Sequence, residues 1–309
     1  ANSVRDLLAL DFDASTLLPP DDASYGFDNI GDVLRLSPTL LESYLDAARI
    51  VSAQAVGDPG AAVEQYIHRV PPDLTQDYHL DGLPFGTRGG TRLDRYFPVD
   101  GEYVAKIFLL RTYDGRVRGL REPHELEVRL DGRLVEAFNV GGAIRDDDEQ
   151  PTRRRDLRNV PDDGQEVRFT AKAGPAVLDV SFVGSAAALE GMQRPTYAIT
   201  SYEYAGDVTI DPGIGSLELR GPYNVTGRGD TPPRQRIFSC RPAEGTSEAE
   251  CATEIISRRA RRALRRPVSP ETVGMLLGFF ERGRARGDSE GVLRLSAPFS
   301  FVCCALRML

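Results

Sequence analysis

The sequence predicts a multidomain α and β protein, in which a central antiparallel β-sandwich of jelly-roll-like type is flanked by all-α modules. The spacing of apolar residues is helical at both ends of the chain and changes to a period of two between them. A chain of 309 residues also exceeds one ordinary hydrophobic core, so two or three domains are expected. We predict a helical module over residues 1–66, a β-sandwich over 67–222, a linker over 223–250 and a second helical module over 251–309.

The first helical module begins in mid-pattern. Val4, Leu7 and Leu8 already form an apolar helix face, and no capping residue precedes them. This start suggests that the module is truncated and that the chain is a fragment of a longer protein. Ser37-Pro38 then predicts the start of a second helix, because Ser caps helices well and Pro fits the first helical turn. The Pro-, Asp- and Gly-rich segment 18–34 before it reads as a loop.

Alternating segments in the central region predict strands and turns. Asp131-Gly132 separates two alternating segments and is a strong hairpin signal, because a type I′ turn needs positive φ at both central residues. A second hairpin is predicted from 167 to 183, with its turn at 172–175. Further strands are predicted over 103–111, 197–204 and 216–220. Several short strands without intervening helices indicate a sandwich or jelly roll.

The second helical module carries an arginine-rich face. The net charge of the chain is −8, which disfavours nucleic acid as a partner. We therefore interpret the cluster as a solvated helix face rather than an anion or nucleic-acid patch. Pro267 is expected to end this helix, and Ser269-Pro270 to start another. The cluster consists of Arg258, Arg259, Arg261, Arg262, Arg265 and Arg266.

Signatures of catalysis are absent from the sequence. Three histidines occur, but no HExxH or GxSxG motif, no Rossmann or P-loop glycine pattern, and no CxxCH for covalent haem. We assign no catalytic, cofactor-binding or metal-ligating residue, and no run of apolar residues is long enough to span a membrane. The acidic run 146–149 could supply oxygen ligands to calcium, although a mobile acidic loop is the favoured interpretation.

Two cysteines are candidates for a disulfide. Cys240 and Cys251 lie on either side of a loop rich in Pro, Gly, Ser and Glu, whereas Cys303 and Cys304 are adjacent and poorly placed to pair with each other. Zinc ligation by Cys240 and Cys251 would need two more ligands, and no CxxC or CxxH motif is present. A disulfide is the favoured reading, provided that the compartment is oxidising.

A sugar-binding face would need exposed aromatic side chains, because a flat ring packs against the apolar face of a pyranose. The chain has 11 Tyr and no Trp. Tyr96, Tyr103 and Tyr113 lie in the predicted sandwich, but the sequence does not place them on its surface.

Long segments of the chain resemble a planctomycete-type family of linked domains of unknown function, usually found with a cytochrome c domain. The resemblance covers residues 2–13 and 18–48 in the first module, 82–109 and 221–242 in the sandwich and linker, and 251–288 in the second module. It implies a periplasmic or extracellular protein with a signal peptide and a haem c domain upstream. It also implies a carbohydrate-binding-module-like sandwich, and it supports the Cys240–Cys251 pairing. After Gly287 the sequence departs from the family pattern, which suggests a frameshift or an aberrant terminus.

These expectations favour a non-catalytic binding or scaffold region of an extracytoplasmic, haem-linked bacterial protein, whose partner is a polysaccharide or a cell-surface glycan. The alternative is part of an oxidoreductase or polysaccharide-processing enzyme whose catalytic or haem domain lies outside this chain. A purely structural interaction module is a third reading. No cofactor is expected in this chain itself, with calcium as the open alternative.

Overall fold

A computed structural model gives the fold of residues 2–10, 17–18, 38–71, 74, 76, 79–111, 117, 119–120, 123–142, 165–184, 212–242 and 245–285. The chain divides into two compact units. One is helical and combines Ala1–Ala61 with Thr226–Leu309; the other is the β-sandwich, Ala62–Val225. The helical segments before and after the sandwich therefore belong to one unit, whereas the sequence analysis treated them as separate modules.

In the described residues, the sandwich unit consists of two antiparallel sheets of four strands each, which confirms the predicted β-sandwich. The first sheet has the order β1-β8-β3-β6 and the second β2-β7-β4-β5. The strands are β1 (Glu64–Arg69), β2 (Thr87–Phe97), β3 (Asp100–Leu109), β4 (Pro123–Leu130), β5 (Arg133–Gly141), β6 (Glu166–Ala171), β7 (Gly174–Val183) and β8 (Ile214–Gly227).

Alternate residues of both sheets form one hydrophobic core. On β7, Leu178, Val180 and Phe182 are at most 3% exposed and face the other sheet. On β6, Val167, Phe169 and Ala171 are 5–6% exposed and face the core from the first sheet. This period of two is the pattern from which the sequence predicted strands.

The first predicted hairpin is confirmed and the second is wrong. Asp131 and Gly132 have φ of 49° and 76° and join β4 to β5, which pair along their length. In contrast, β6 pairs with β3 and β7 pairs with β2 and β4, so residues 172–173 connect the two sheets. The apolar faces of β6 and β7 pack across the core rather than side by side, and an alternating pattern alone does not distinguish these arrangements.

Two-residue links join strands at one end of the sandwich, and the longer connections start and finish at strand ends on the other side. At one end, residues 98–99, 131–132 and 172–173 are short links. At the other end, which we call the loop end, β1, β3, β5 and β7 finish and β2, β4, β6 and β8 begin. The connections 70–86, 110–122, 142–165 and 184–213 therefore all leave from the loop end. Binding residues in β-sandwiches are expected on such loops, since a rigid scaffold positions them.

Gln76 links the two sheets at the loop end. Its side chain is fully buried, its Nε2 donates to Ile214 O at 2.9 Å, and its Oε1 accepts from Ile214 N at 2.8 Å and Gly90 N at 3.1 Å. Gly90 lies in an irregularity of the β2–β7 register, where φ is 118° and a Cβ would collide with Val180 O. Glycine is therefore required at this position.

The helical unit contains α1 (Asn2–Leu8), α2 (Pro38–Val56), α3 (Pro232–Ile237), α4 (Glu248–Leu264) and α5 (Pro270–Arg284). Ser247 and Glu250 form a capping box at the start of α4, and Ser269 caps α5 as the sequence suggested. Ile256, Ala260 and Phe280 are central to the core between α4 and α5.

One member of the arginine cluster departs from the predicted solvated face. Arg258, Arg261 and Arg262 are exposed, but Arg259 is half-buried. Its guanidinium donates to Leu7 O at 2.6 Å and to Arg236 O, while Arg262 donates to Asp6 O at 3.1 Å. The bonds to Leu7 O and Asp6 O satisfy carbonyls at the end of α1, where a cation also interacts favourably with the helix dipole.

Element boundaries differ from the predicted ones where propensity was ambiguous. β1 begins at Glu64, inside the predicted helical segment 1–66, and α3 and α4 both begin inside the predicted linker 223–250. The predicted strand 197–204, most of the loop 18–34 and the tail after Gly287, with Cys303 and Cys304, lie outside the described residues. Among the helices of the described residues, none has the length and apolar character needed to cross a membrane.

Candidate functional site

The candidate site lies on the outward surface of the second sheet, next to the loop end. On β7, residues 179, 181 and 183 alternate with the core residues and therefore point away from the core. The register places Arg92 of β2 and Arg129 of β4 on either side of Asp179. We call this surface the outer face, and it is defined by the outward side chains of β2 after its irregularity, of β4 and of β7.

A fully exposed aromatic ring lies beside the outer face. Phe85 is 99% exposed and lies in the last residues of the 70–86 connection, just before β2. Its ring is parallel to the ring of His79, with an interplanar angle of 2° and a centroid distance of 5.9 Å. We call these two side chains the Phe85 platform. An exposed flat ring next to polar groups is a suitable surface for the apolar face of a sugar.

The loop that carries Phe85 is held in place by its neighbours. Leu83 is buried, the hydroxyl of Thr87 donates to Pro84 O at 2.6 Å, and Gly184 N donates to Gly86 O at 2.5 Å. His79 Nδ1 lies 3.3 Å from Thr87 O. The ring is thus presented from an ordered loop, which lowers the entropic cost of binding a ligand.

Arg92 connects the platform loop to the outer face. Its guanidinium donates to Gly82 O at 2.8 Å, and its Nε lies 3.5 Å from a carboxylate oxygen of Asp94. Because Arg92 is directly opposite Asp179 in the β2–β7 register, the loop that carries Phe85 contacts the charged residues of the sheet through Gly82. The site therefore combines one aromatic surface with a row of hydrogen-bonding groups.

Asp179 is the buried charge of this row. It is 6% exposed, and its Oδ1 has no hydrogen-bond partner within the described part of the chain. Burial raises the pKa of its carboxyl, the charge of Arg92 lowers it, and Asp94 and Asp131 raise it. A buried carboxyl with a perturbed pKa on an otherwise polar surface is a marker of functional sites.

The three tyrosines named from the sequence have different environments. Tyr103 is 3% exposed, its hydroxyl donates to Val99 O at 3.0 Å, and burial raises its pKa to about 12. It is a core residue and cannot contact a sugar. Tyr96 is half-buried and lies opposite Pro175 at an outward position of β2. Tyr113 lies outside the described residues.

The histidines form no catalytic arrangement within the described ranges. His68 Nε2 lies 3.0 Å from the hydroxyl of Thr91, and His124 Nε2 lies 2.8 Å from Gly119 O. No group of three or more potential ligands that could hold a metal ion occurs in the part of the chain that the structure describes. The acidic run 146–149, which the sequence analysis considered for calcium, lies outside these residues.

Cys240 and Cys251 are disulfide-bonded, with their Cα atoms 5.3 Å apart. The bond joins the segment after α3 to the first turn of α4 and lines a cavity of about 800 Å³ within the helical unit. Arg234 and Phe280 also line this cavity.

Sequence reasoning missed Phe85 because it searched for tyrosine and tryptophan in strands. The segment Leu83-Pro84-Phe85-Gly86 does contain a signal, an aromatic residue between Pro and Gly in a loop, where no core can bury it. Asp179 could not have been found, because an acidic residue in an alternating strand normally faces solvent.

Comparisons with known proteins cover both units. Residues 1–57 match the family model PSD3, described as "Protein of unknown function (DUF1587)". Among solved structures, a family 35 carbohydrate-binding module from Clostridium thermocellum is similar at 13% identity and a TM-score of 0.24, covering 51% of this chain and 90% of that one. The C-terminal domain of EclA, a sugar-binding protein, is similar at 12% identity and a TM-score of 0.21, covering 66% and 97%. No match was found among curated proteins. Similarity at this level carries no argument about the ligand.

Proposed function

We propose that the β-sandwich binds a polysaccharide through the Phe85 platform and the outer face, and that the chain acts as a non-catalytic binding region. The observation that carries this proposal is the parallel pair of Phe85 and His79, with Phe85 99% exposed. An apolar ring left in water on an ordered loop contributes little to folding. A ligand that covers one face of the ring removes apolar surface from water, and this burial favours binding.

The polar groups beside the ring fit the rest of a sugar. Carboxylates accept hydrogen bonds from hydroxyl groups, and guanidinium groups donate to hydroxyl oxygens. Arg92, Asp94 and Arg129 offer both kinds of group on the outer face, which Arg92 links to the Phe85 loop through Gly82. This combination of one apolar surface with several oriented polar groups is typical of small-ligand sites.

The test is affinity electrophoresis of the full chain in gels that contain soluble polysaccharides, comparing the unmodified protein with Phe85→Ala. Burying a Phe side chain completely contributes about 1.5–3 kcal/mol, and a ligand that covers one face gains roughly half of this. Phe85→Ala should therefore weaken binding roughly 4- to 12-fold.

The matched control is Ile67→Ala. Ile67 is another exposed apolar residue of the same unit, at 46%, and it lies on β1 in the first sheet. Neither variant should alter stability by more than about 0.5 kcal/mol, because Phe85 is almost fully in solvent and Ile67 lies at the surface of an edge strand. Equal retardation of both variants, or retardation by no polysaccharide, would refute the proposal.

We propose that the protein acts outside the cytoplasm, next to a haem domain. The Cys240–Cys251 disulfide supports an oxidising compartment. The haem domain is supported by the resemblance of the chain to a cytochrome-linked family. Sequencing the gene upstream of Ala1 tests both points: a signal peptide and a CxxCH motif are expected, and an upstream region with neither would contradict them.

A further inference from the structure

The charges of the outer face carry an inference about the kind of polysaccharide, which rests on the proposed function. Both guanidinium groups of this face are already held by acceptors of the chain. Arg92 interacts with Asp94 and with Gly82 O, as described above. Arg129 Nε lies 2.8 Å from Glu127 Oε2, and its Nη1 donates to Gly132 O at 3.1 Å. Their positive charges are therefore largely compensated before any ligand arrives.

Carboxylates outnumber guanidinium groups on this face. The four acidic residues against two arginines give a formal excess of two negative charges. Glu125 is exposed, and no ion pair with a described residue is found for it. The acidic residues are Asp94, Glu125, Glu127 and Asp179.

Asp179 adds a negative charge that water screens poorly. Its carboxylate is 6% exposed and has an oxygen without a hydrogen-bond partner among the described residues. The groups that face it are Arg92 and Asp94 from β2, Arg129 from β4, and Asp131 from the β4–β5 turn. Two acidic and two basic neighbours leave the charge of Asp179 itself uncompensated.

We propose that the outer face binds neutral polysaccharides and excludes polysaccharides that carry carboxylate or sulfate groups. An anionic sugar on the outer face would meet surplus carboxylates and arginines that are already paired. A hydroxyl group, in contrast, is both donor and acceptor, so it can donate to a carboxylate and accept from the remaining N–H groups of an arginine. Charge thus makes the site selective by repulsion as well as by attraction.

The experiment compares two sets of polysaccharides on the full chain in low salt. The neutral set is xyloglucan, galactomannan, mixed-linkage β-glucan and dextran; the acidic set is polygalacturonate, alginate, carboxymethylcellulose and carrageenan. We expect at least one neutral polymer to bind ten-fold or more tightly than any acidic polymer. Hydroxyethylcellulose against carboxymethylcellulose is the matched pair, because the backbone is the same and only the charge of the substituent differs.

A variant with fewer carboxylates tests whether charge causes the preference for neutral polymers. Asp94→Asn with Glu125→Gln removes two negative charges from the outer face and should narrow the preference for neutral polymers by roughly ten-fold. The control is Glu64→Gln with Glu166→Gln, which removes two exposed carboxylates from the first sheet and should leave the preference unchanged. Added salt should also narrow the preference, because screening weakens the repulsion.

The outcomes separate the inference from the proposed function. Acidic polymers that bind as tightly as neutral ones, with Phe85→Ala weakening both, would overturn the charge selectivity and leave polysaccharide binding intact. The charge selectivity is also overturned if the outer-face double variant and the first-sheet control double variant narrow the preference for neutral polymers equally. Binding by no polymer of either set would refute the proposed function, and the selectivity with it.

Discussion

Replacing Gln76 by Met tests how the loop end is held together. The substitution keeps a long side chain of similar volume in a fully buried position but removes three hydrogen bonds. Gly90 N–H, Ile214 N–H and Ile214 C=O lose their partner. A buried polar group left without a partner costs about 1–3 kcal/mol, so the low end for three groups is about 3 kcal/mol.

The assay is thermal unfolding followed by far-UV circular dichroism, together with amide hydrogen exchange. A loss of about 3 kcal/mol should lower the melting temperature of a unit of this size by roughly 6–12 °C. Exchange should become faster at Gly90 and Ile214, because both amides lose their acceptor. Gln65→Met, the same substitution at an exposed position of β1, is the control and should change stability by less than about 0.5 kcal/mol.

The reasoning is refuted if Gln76→Met melts at the same temperature as Gln65→Met and protection of the two amides is unchanged. Such a result would mean that other groups satisfy these backbone atoms, so that Gln76 does not connect β2 to β8.

Three further predictions concern a buried charge, a helix contact and the disulfide. Burial raises the pKa of Asp179, so the folded protein binds a proton at this carboxyl more tightly than the unfolded chain does. The protonated carboxyl therefore contributes its full stabilisation at acid pH, and this contribution is lost as the pH rises through the raised pKa. Asp179→Asn should therefore melt at or above the unmodified protein at pH 7.5, with the difference shrinking towards pH 4, and a lower melting temperature at pH 7.5 would contradict the assignment. Arg259→Met should destabilise the helical unit by about 2 kcal/mol and increase amide exchange in α1, whereas Arg261→Met, at an exposed position of α4, should do neither. Cys240→Ser with Cys251→Ser should lower the stability of the helical unit by about 2–3 kcal/mol, which differential scanning calorimetry would measure, and an unchanged transition would show that the bond does not restrict the unfolded chain.

Local chemistry in the sequence predicted part of the fold well. Asp131-Gly132 forms the turn that its conformational preference demands, and Ser269 caps α5 as its side chain allows. These features depend on a few neighbouring residues, so a single sequence contains them.

The assignment of strands to sheets depends on distant residues and was not predictable in the same way. Residues 172–173 look like a hairpin turn, yet β6 and β7 belong to different sheets. The alternation of Val167, Phe169 and Ala171 predicts which residues are buried, but it does not predict which strand pairs with β6. Arg259 likewise looked like its solvated neighbours, because its acceptor Leu7 lies at the other end of the chain.

The sequence indicated the kind of surface that a sugar would need, but not the residues that form the candidate site. An aromatic surface on the sandwich was considered, but the tyrosines named for it proved to be a core residue, a half-buried residue and one outside the described ranges. The exposed ring is Phe85, which became visible when the loop end and its packing were known. The polar row beside it arises from the register of β2, β7 and β4, which is a property of the assembled sheet.

The most direct test of polysaccharide binding is hydroxyl-radical footprinting of the full chain, with and without the neutral polysaccharide that binds most tightly. Phe85 is 99% exposed and aromatic, so it should be oxidised readily in the free protein. A bound sugar that covers one face of its ring should lower that oxidation several-fold, while Met275, which is 51% exposed in the helical unit, should be oxidised to the same extent in both samples. Unchanged oxidation of Phe85 at a saturating concentration of the polysaccharide would contradict the account.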